Sequence, residues 1–202
     1  VVRDSTYLSD SFRGKDWSYH NHRDSEIETY HEAILALAEK GYSIIRMGKV
    51  VHKPLSLDHP NIFDYATSQD RCDFLDIWLM ANCYFAISTG LGLDSVADIF
   101  RRSIVFVNYT PLMDLEAWGQ FITVPKKLVW LKDGRPLTLL EQIQHTTSNA
   151  HYYPKHGIQI SDLLPEEIKH AVLEMEARLT GTWSPADEEE LNSRFWEKLK
   201  EH

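Results

Sequence analysis

The sequence predicts an α/β protein built on a doubly wound, mostly parallel sheet, and three observations carry that expectation. Up to Asn108, short apolar runs alternate with amphipathic helical patterns, the signature of crossover connections between parallel strands. Residues 85–108, FAISTGLGLDSVADIFRRSIVFVN, compress one such unit into a single stretch. A buried strand over 84–87 leads into a small-residue loop over 88–92, a short helix from Leu93 or Asp94, and a second apolar strand over 104–107. Finally, Arg3 and Arg46 each follow an apolar run. Both therefore fall at the carboxyl end of a strand, the edge where open α/β sheets bind ligands.

In chain order, Val1 and Val2 read as the end of a first strand, with Arg3, Asp4 and Ser5 in the loop that follows. The chain opens without Met in mid-strand, which suggests a piece of a longer protein. Residues 6–24 form a loop rich in His, Arg, Asp and Tyr, long enough to be functional; Tyr7, Phe12, Trp17 and Tyr19 favour an ordered lid. A helix follows over 25–40. Ser25 and Glu28 have capping-box spacing, Gly41 is the stop, and Ile27, Tyr30, Ile34, Leu37 and Ala38 form the buried stripe. A strand over 42–46 ends at Arg46, and a short one over 61–65 ends at Asp64 and Tyr65. The helix over 72–81 carries Phe74, Leu75, Trp78 and Leu79 as its apolar face.

Beyond Asn108 the alternation loosens. Residues 110–120 read as a Pro-containing loop with a short helix, and 121–127 return toward the sheet. A strand over 128–131, a turn at Asp133 and Gly134, and a helix over 137–144 capped by Thr138 with Glu141 come next. An amphipathic helix over 166–179 stops at Gly181, and a charged helix fills 186–200. The expected organisation is one sheet domain over 1–160 with a helical extension over 161–202 packed on it.

A net charge of −9 gives the surface as a whole no electrostatic support for nucleic acid. A local basic pocket can still hold an anion. No apolar run approaches the roughly 20 residues of a membrane span, which leaves peripheral contact open. Cys72 and Cys83 read as reduced, buried residues of a cytosolic protein rather than a disulfide or metal pair.

Several residues have chemistry to offer. In the 88–92 loop, Gly90 and Gly92 permit positive φ and close backbone approach, and the following helix start directs N–H groups toward an anion. Ser88, Thr89 and Gly90 match neither a Walker A loop nor a dinucleotide fingerprint, and the stretch alone is equally an ordinary βα turn. Diagnostic parts of hydrolases and P-loop kinases are missing. What remains is an electropositive sheet edge formed by Arg3, Arg46 and this loop, suited to a diphosphate because the arginine fork donates two parallel hydrogen bonds. Taken singly, either arginine fits an ion pair with Asp4, Asp64 or Asp76 as well. His20, His22, Arg23 and Asp24 cluster before a helix. A metal there would need an extended segment and a fourth ligand, so anion contact or polar loop chemistry is the better expectation. Asp94 caps the short helix or touches a ligand hydroxyl, and Lys126 with Lys127 is a solvated pair unless the preceding Val-Pro aims one inward.

Val2-Arg3-Asp4-Ser5 with Tyr7-Leu8, Tyr19-His20-Asn21-His22-Arg23-Asp24, Gly41-Tyr42, Arg46-Met47-Gly48, Asp64-Tyr65-Ala66 and Asp73-Phe74-Leu75-Asp76 stand in order. Ser88-Thr89-Gly90, Phe100-Arg101-Arg102, Val107-Asn108 and Leu164-Pro165-Glu166-Glu167-Ile168 follow. As a set these motifs resemble a family of bacterial glycosyltransferases from surface-polysaccharide gene clusters, sometimes fused to tetratricopeptide repeats and distantly similar to fucosyltransferase-type GT-B enzymes.

The resemblance implies the Rossmann-like, nucleotide-sugar-binding C-terminal half of a GT-B fold, with the acceptor-binding half upstream. Arg3 matches the arginine of a His-x-Arg motif that holds the donor diphosphate, while Val1 stands where the histidine would be. Ser88, Thr89 and Gly90 correspond to a motif that contacts the donor nucleotide. Glu141 has a capping role through Thr138, and in two-domain glycosyltransferases a late acidic residue instead binds ribose hydroxyls. The expected reaction is inverting and metal-independent. It moves a sugar from a nucleotide-diphosphate donor, GDP-fucose being one candidate, to a glycan or lipid-linked acceptor at the cytoplasmic side, without a further cofactor. Asp4, His22 or Asp24 would be the base. From another class, a non-catalytic domain sensing a nucleotide or nucleotide sugar fits the same residues.

Overall fold

The computed structural model describes residues 1–7, 16–185 and 188–200; Leu8 and Phe12 of the expected motifs and lid, and Ala186 at the expected start of the last helix, lie outside them. Strands among the described residues are β1 Ile44–Ile45, β2 Ile62–Phe63, β3 Phe85–Ser88, β4 Ser103–Tyr109, β5 Phe121–Pro125, β6 Lys127–Trp130 and β7 Ile158–Ser161. Helices are α1 His31–Glu39, α2 Asp73–Asn82, α3 Asp94–Ile99, α4 Leu139–Gln144, α5 Tyr152–Lys155, α6 Pro165–Thr180 and α7 Glu188–Lys200, with single 3₁₀ turns between some of them.

The protein is α/β with parallel strands. β4 is buried at every position, as a strand covered on both faces must be, and its unbroken apolar run follows from that. It pairs in parallel with β3 on one side and β5 on the other. β1 pairs with β2, also in parallel. β6 and β7 depart from the mostly parallel expectation by pairing antiparallel as a separate two-stranded sheet.

Residues 1–3 are not a regular strand, yet they run beside β3: the Val1 nitrogen donates to the Ile87 carbonyl at 2.6 Å and the Arg3 N–H to Thr89 Oγ1 at 3.0 Å. Alternation along β4 separates two cores. Val105 and Val107 point to one face, with α1 and with Ile168, Ala171, Val172 and Met175 of α6. Ile104 and Phe106 point to the other, with Met80 of α2 and Ala97 of α3. Helices thus lie on both faces, and α6 packs into the first of the two cores.

Two local expectations fail for the same reason, that burial overrides local pattern. Ser25 and Glu28 do not form a capping box. The segment starts as a 3₁₀ turn, Ile27–Tyr30, and becomes α-helical only at His31. Ser25 instead accepts from Asn108 Nδ2 at 2.8 Å and donates to Asp162 at 3.3 Å, and Glu28 pairs with Lys53. In α2 the buried residues are Met80 and Ala81, whereas Phe74 and Trp78 of the expected apolar face are 72% and 51% exposed. Periodicity identifies an apolar face but not what covers it. Cys72 is exposed, contrary to the buried expectation, while Cys83 is half-buried; both are free thiols.

Asn108 fastens the two halves of the first core. It is fully buried with φ +54°, a conformation Asn tolerates better than most residues. Its Oδ1 accepts from the Leu163 N–H at 2.7 Å, at the entry to α6. Asn108→Ala strands that N–H and adds left-handed strain, so urea unfolding should register a loss of about 2–4 kcal/mol. Asn108→Gly should recover the strain portion, about 1 kcal/mol. A loss under about 0.5 kcal/mol for the alanine variant, the scale of an ordinary surface change, would rule the fastening out.

Candidate functional site

The carboxyl edge of the parallel strands gathers Arg3 after the opening segment, the 88–92 loop after β3, and Lys126 after β5. The 3₁₀ turn Ser18–Arg23 covers this edge. Trp17, just before it, stacks on Tyr19 and His20 at 6.1 and 6.3 Å, and the Tyr19 and His20 rings meet at a tilt 4.1 Å apart. Two bonds pin it: the Ala150 N–H donates to the Tyr19 carbonyl at 2.8 Å, and Arg23 Nη2 to the Gly90 carbonyl at 2.6 Å. The described part of the expected lid is therefore ordered over the sheet edge.

Arg3 and Asp24 form the centre. Arg3 Nε lies 3.2 Å from Asp24 Oδ1, within ion-pair reach but not aligned as a hydrogen bond. Burial pushes the Asp24 carboxyl above its ordinary range against the pull of Arg3, and burial lowers Arg3 against the pull of Asp24. His22 lies 5.8 Å from the Tyr153 ring. Burial, then Arg23, lower its pKa to about 4, with the Tyr19 backbone opposing. His20 is lowered too, by burial and then by Arg3 and Arg23. Both imidazoles are neutral near pH 7, in the field of two guanidinium groups. Beside them a cavity of 190 Å³ is lined by Arg3, Asp4, Asp24, Arg46, His52 and Lys53 among others.

Among the described residues, nine buried side-chain nitrogen or oxygen atoms lack a well-formed hydrogen bond. Six of them belong to Arg3, His20, His22, Arg23 and Asp24. Buried polar atoms are normally satisfied, and clusters of exceptions call for a functional explanation.

Other expected contacts are engaged elsewhere. Ser88, fully buried, donates to Asp94 Oδ2 at 2.5 Å; the Leu91 N–H reaches the same oxygen at 2.5 Å, and the Gly90 N–H donates to Ser88 Oγ at 3.2 Å. The Asp94 carboxylate thus takes the place an anionic ligand was expected to fill, and burial raises its pKa despite these bonds. Thr89 receives the Arg3 N–H. Gly90 has φ +80°, and a Cβ there would lie 2.7 Å from the Tyr109 ring, so glycine is required by packing. Gly92 has neither positive φ nor a close neighbour.

Arg46 is a brace, as its ion-pair alternative allowed: Nη1 donates to the Lys53 carbonyl at 2.6 Å and lies 3.4 Å from Asp64 Oδ2. Lys126 does point inward, donating to the Asp24 carbonyl at 2.5 Å and to Asp162 Oδ1 at 2.6 Å; Lys127 pairs with Glu167. Asp4 receives the Thr6 and His52 N–H groups at 2.8 and 2.5 Å; burial raises its carboxyl, but the Thr6 hydroxyl and these two N–H groups together hold it below the ordinary range. Glu141 completes the expected capping box with Thr138 and is gripped by Arg135 through both carboxylate oxygens. It sits by the β6–β7 sheet, bonded to Trp130, and not among the crevice-lining residues. His20 and His22 share a 3₁₀ turn rather than an extended segment, and no group of three or more His, Cys, Asp or Glu suited to a metal ion occurs among the described residues.

His52, Lys53 and Asp162 join the site or its support without any sequence signal, since only the fold brings them near Arg3 and Ser25. The class defined by fold and site is an α/β protein with a charged crevice at the carboxyl edge of its parallel strands, lined by Arg3, Asp24 and His52 among others, beside the Ser18–Arg23 turn that holds His20 and His22. Comparison with protein-family models, with curated proteins and with solved structures finds no match for this chain.

The His22 environment sets a pH dependence. Its folded pKa of about 4 lies below the ordinary value of about 6.5, so between those values the unfolded chain binds the extra proton. The associated stability is complete above pH ~6.5 and is lost as pH falls toward ~4. Between pH 7 and 5, unfolding free energies should fall about 1 kcal/mol less in His22→Phe than in the parent, allowing for partial exposure. Identical pH slopes in the two proteins would contradict the buried, neutral imidazole.

Proposed function

We propose that this chain is the donor-binding domain of a GT-B-type glycosyltransferase, and that its carboxyl-edge crevice holds the diphosphate of a nucleotide sugar. The observation that carries this reading is the concentration of underused buried polar atoms on Arg3, His20, His22, Arg23 and Asp24. Parallel strands with helices on both faces support a doubly wound, Rossmann-like arrangement, whose ligands sit at this edge.

In this role Arg3 and Arg23 contact the phosphate oxygens, and neutral His20 and His22 donate N–H bonds without adding charge. Asp24 is the best-placed base. Its carboxyl is raised, whereas Asp4 is held ionised by its hydrogen bonds from Thr6 and His52, and His22, with a pKa of about 4, is a weak proton acceptor at neutral pH. The acceptor hydroxyl attacks the anomeric carbon and gives its proton to the base, as the bond to the diphosphate breaks with inversion. The arginines stabilise the charge gathering on the departing diphosphate. The acceptor, a glycan or lipid-linked sugar on the cytoplasmic side, is positioned by a separate acceptor-binding half. No helix among the described residues is long and apolar enough to cross a membrane.

One observation favours a second reading, a non-catalytic nucleotide-sugar sensor. Two loop amides expected to stabilise a leaving group, those of Gly90 and Leu91, are already bonded to Ser88 and Asp94.

Calorimetric titration with GDP and UDP tests the shared claim, and donor turnover by the full-length protein separates the two readings. Arg3→Ala and Arg23→Ala should each weaken diphosphate binding by roughly 1.5–3 kcal/mol, the scale of a bond to a charged group. Arg46→Ala should lower stability instead. Unchanged affinity in folded Arg3→Ala and Arg23→Ala proteins would remove the crevice from consideration.

A further inference from the structure

A second cavity, of 390 Å³, runs between β1 and β3 and adjoins the carboxyl-edge crevice at Val2, Ile27 and Arg46. Its two long walls are backbone edges. On β1, the Ile44 and Arg46 N–H groups donate to β2, at Asn61 and Phe63. Strand alternation therefore turns the peptide groups of Ser43 and Ile45 the other way, into the cavity. On β3, the Ile87 carbonyl accepts from the Val1 nitrogen, so the outward groups of Phe85 and Ile87 line the opposite wall. Ile34 and Leu37 of α1 close one face and Leu79 and Met80 of α2 the other. Flanking strands show the consequence: β4, paired on both sides, is buried throughout, whereas Ile45 is 37% exposed and Phe85 half-buried.

The gap thus has unpaired parallel strand edges at its sides and apolar helices above and below. Residues 1–3 already enter it at the carboxyl end. Val1 packs on one core and Val2 on the other, the alternation of a strand. Val1 meets the Ile87 carbonyl as a neighbouring strand would, and two residues on the Arg3 N–H reaches the Thr89 hydroxyl, so the segment advances in step with β3.

The geometry points to a binding slot for one extended apolar β-strand, parallel to β1 and β3 and collinear with residues 1–3. With it in place the order becomes β2, β1, inserted strand, β3, β4, β5, a continuous six-stranded parallel sheet with the inserted strand at its centre. Its peptide groups bond Ser43 and Ile45 on one side and Phe85 and Ile87 on the other. Being covered on both faces, it must be apolar at consecutive positions. The inference is independent of the nucleotide-sugar reading, which concerns the opposite end of residues 1–3.

The test compares the chain with two versions extended at Val1 by about five residues, a typical strand length, one rich in Val and Ile and one of Gly and Ser. Amide exchange is followed at Ile45 and Ile87, with binding of an apolar dye as a second readout. The apolar extension should slow exchange at both amides by about tenfold or more and abolish dye binding, and the Gly/Ser extension should do neither. Should the extended chain aggregate, the same apolar sequence supplied as a free acetylated peptide should protect both amides saturably. Unchanged exchange with a folded apolar extension and with the peptide, or equal protection by the Gly/Ser extension, would overturn the slot. Protection that appears in the unextended chain with rising concentration, together with dimers in sedimentation, would assign the gap to a second copy and contradict the proposal.

Discussion

Asn108, buried at the end of β4, joins segments far apart in sequence by one continuous set of hydrogen bonds. Its amide reaches Ser25, Ser25 reaches Asp162, Asp162 holds Lys126, and Lys126 holds the Asp24 carbonyl, while the Leu163 N–H returns to Asn108. Tyr30 closes the set by donating to Ser25 at 3.2 Å, with its own pKa raised by burial to about 12. Asn108, Ser25, Tyr30 and Lys126 are buried, so removing one member leaves its buried partners desolvated and unpaired. The start of the α1 segment, the end of β5 and the entry to α6 are thereby fixed relative to β4. The Ser25 N–H bonded to the Arg3 carbonyl at 3.1 Å extends this control to the crevice.

That arrangement explains why the fold was readable in outline while much of the site was not. Buried strands such as β4 announce themselves as apolar runs, and the Thr138–Glu141 box and Gly181 are local devices that act as their spacing says. The carboxyl-edge position of Arg3 followed from strand order. Ser25 looked like a cap because its neighbours fit one, yet its partners lie 83 and 137 residues away. The 88–92 loop had the composition of an anion cradle, but Asp94, a few residues on, supplies the carboxylate itself. Whether an arginine faces a ligand or braces a loop is decided by an acceptor such as the Lys53 carbonyl, and nothing in the spacing of Arg46 records it.

Electrostatically, the sheet edge stands out against an acidic chain. A protein of net charge −9 brings Arg3, Arg23 and Lys126 to one sheet edge and keeps two histidines neutral beside them. Lys126 is fully committed to Asp24 and Asp162, so it fixes the geometry of the edge and leaves the two guanidinium groups to define its chemistry. Asp24 is held between that lysine and Arg3, raised by burial and lowered by its cationic neighbours. An environment with opposing influences of this kind can move a carboxyl toward the pH at which it exchanges a proton usefully.

The most direct measurement of the anion site is the NMR titration of the His22 ring, recorded on the free chain and again with saturating GDP or UDP. A buried imidazole in the field of Arg23 should titrate near pH 4 in the free chain. A bound diphosphate should move that value upward, because a neighbouring anion favours the imidazolium. A free-chain value near the ordinary ~6.5, or a ring that does not respond to saturating diphosphate, would contradict the account.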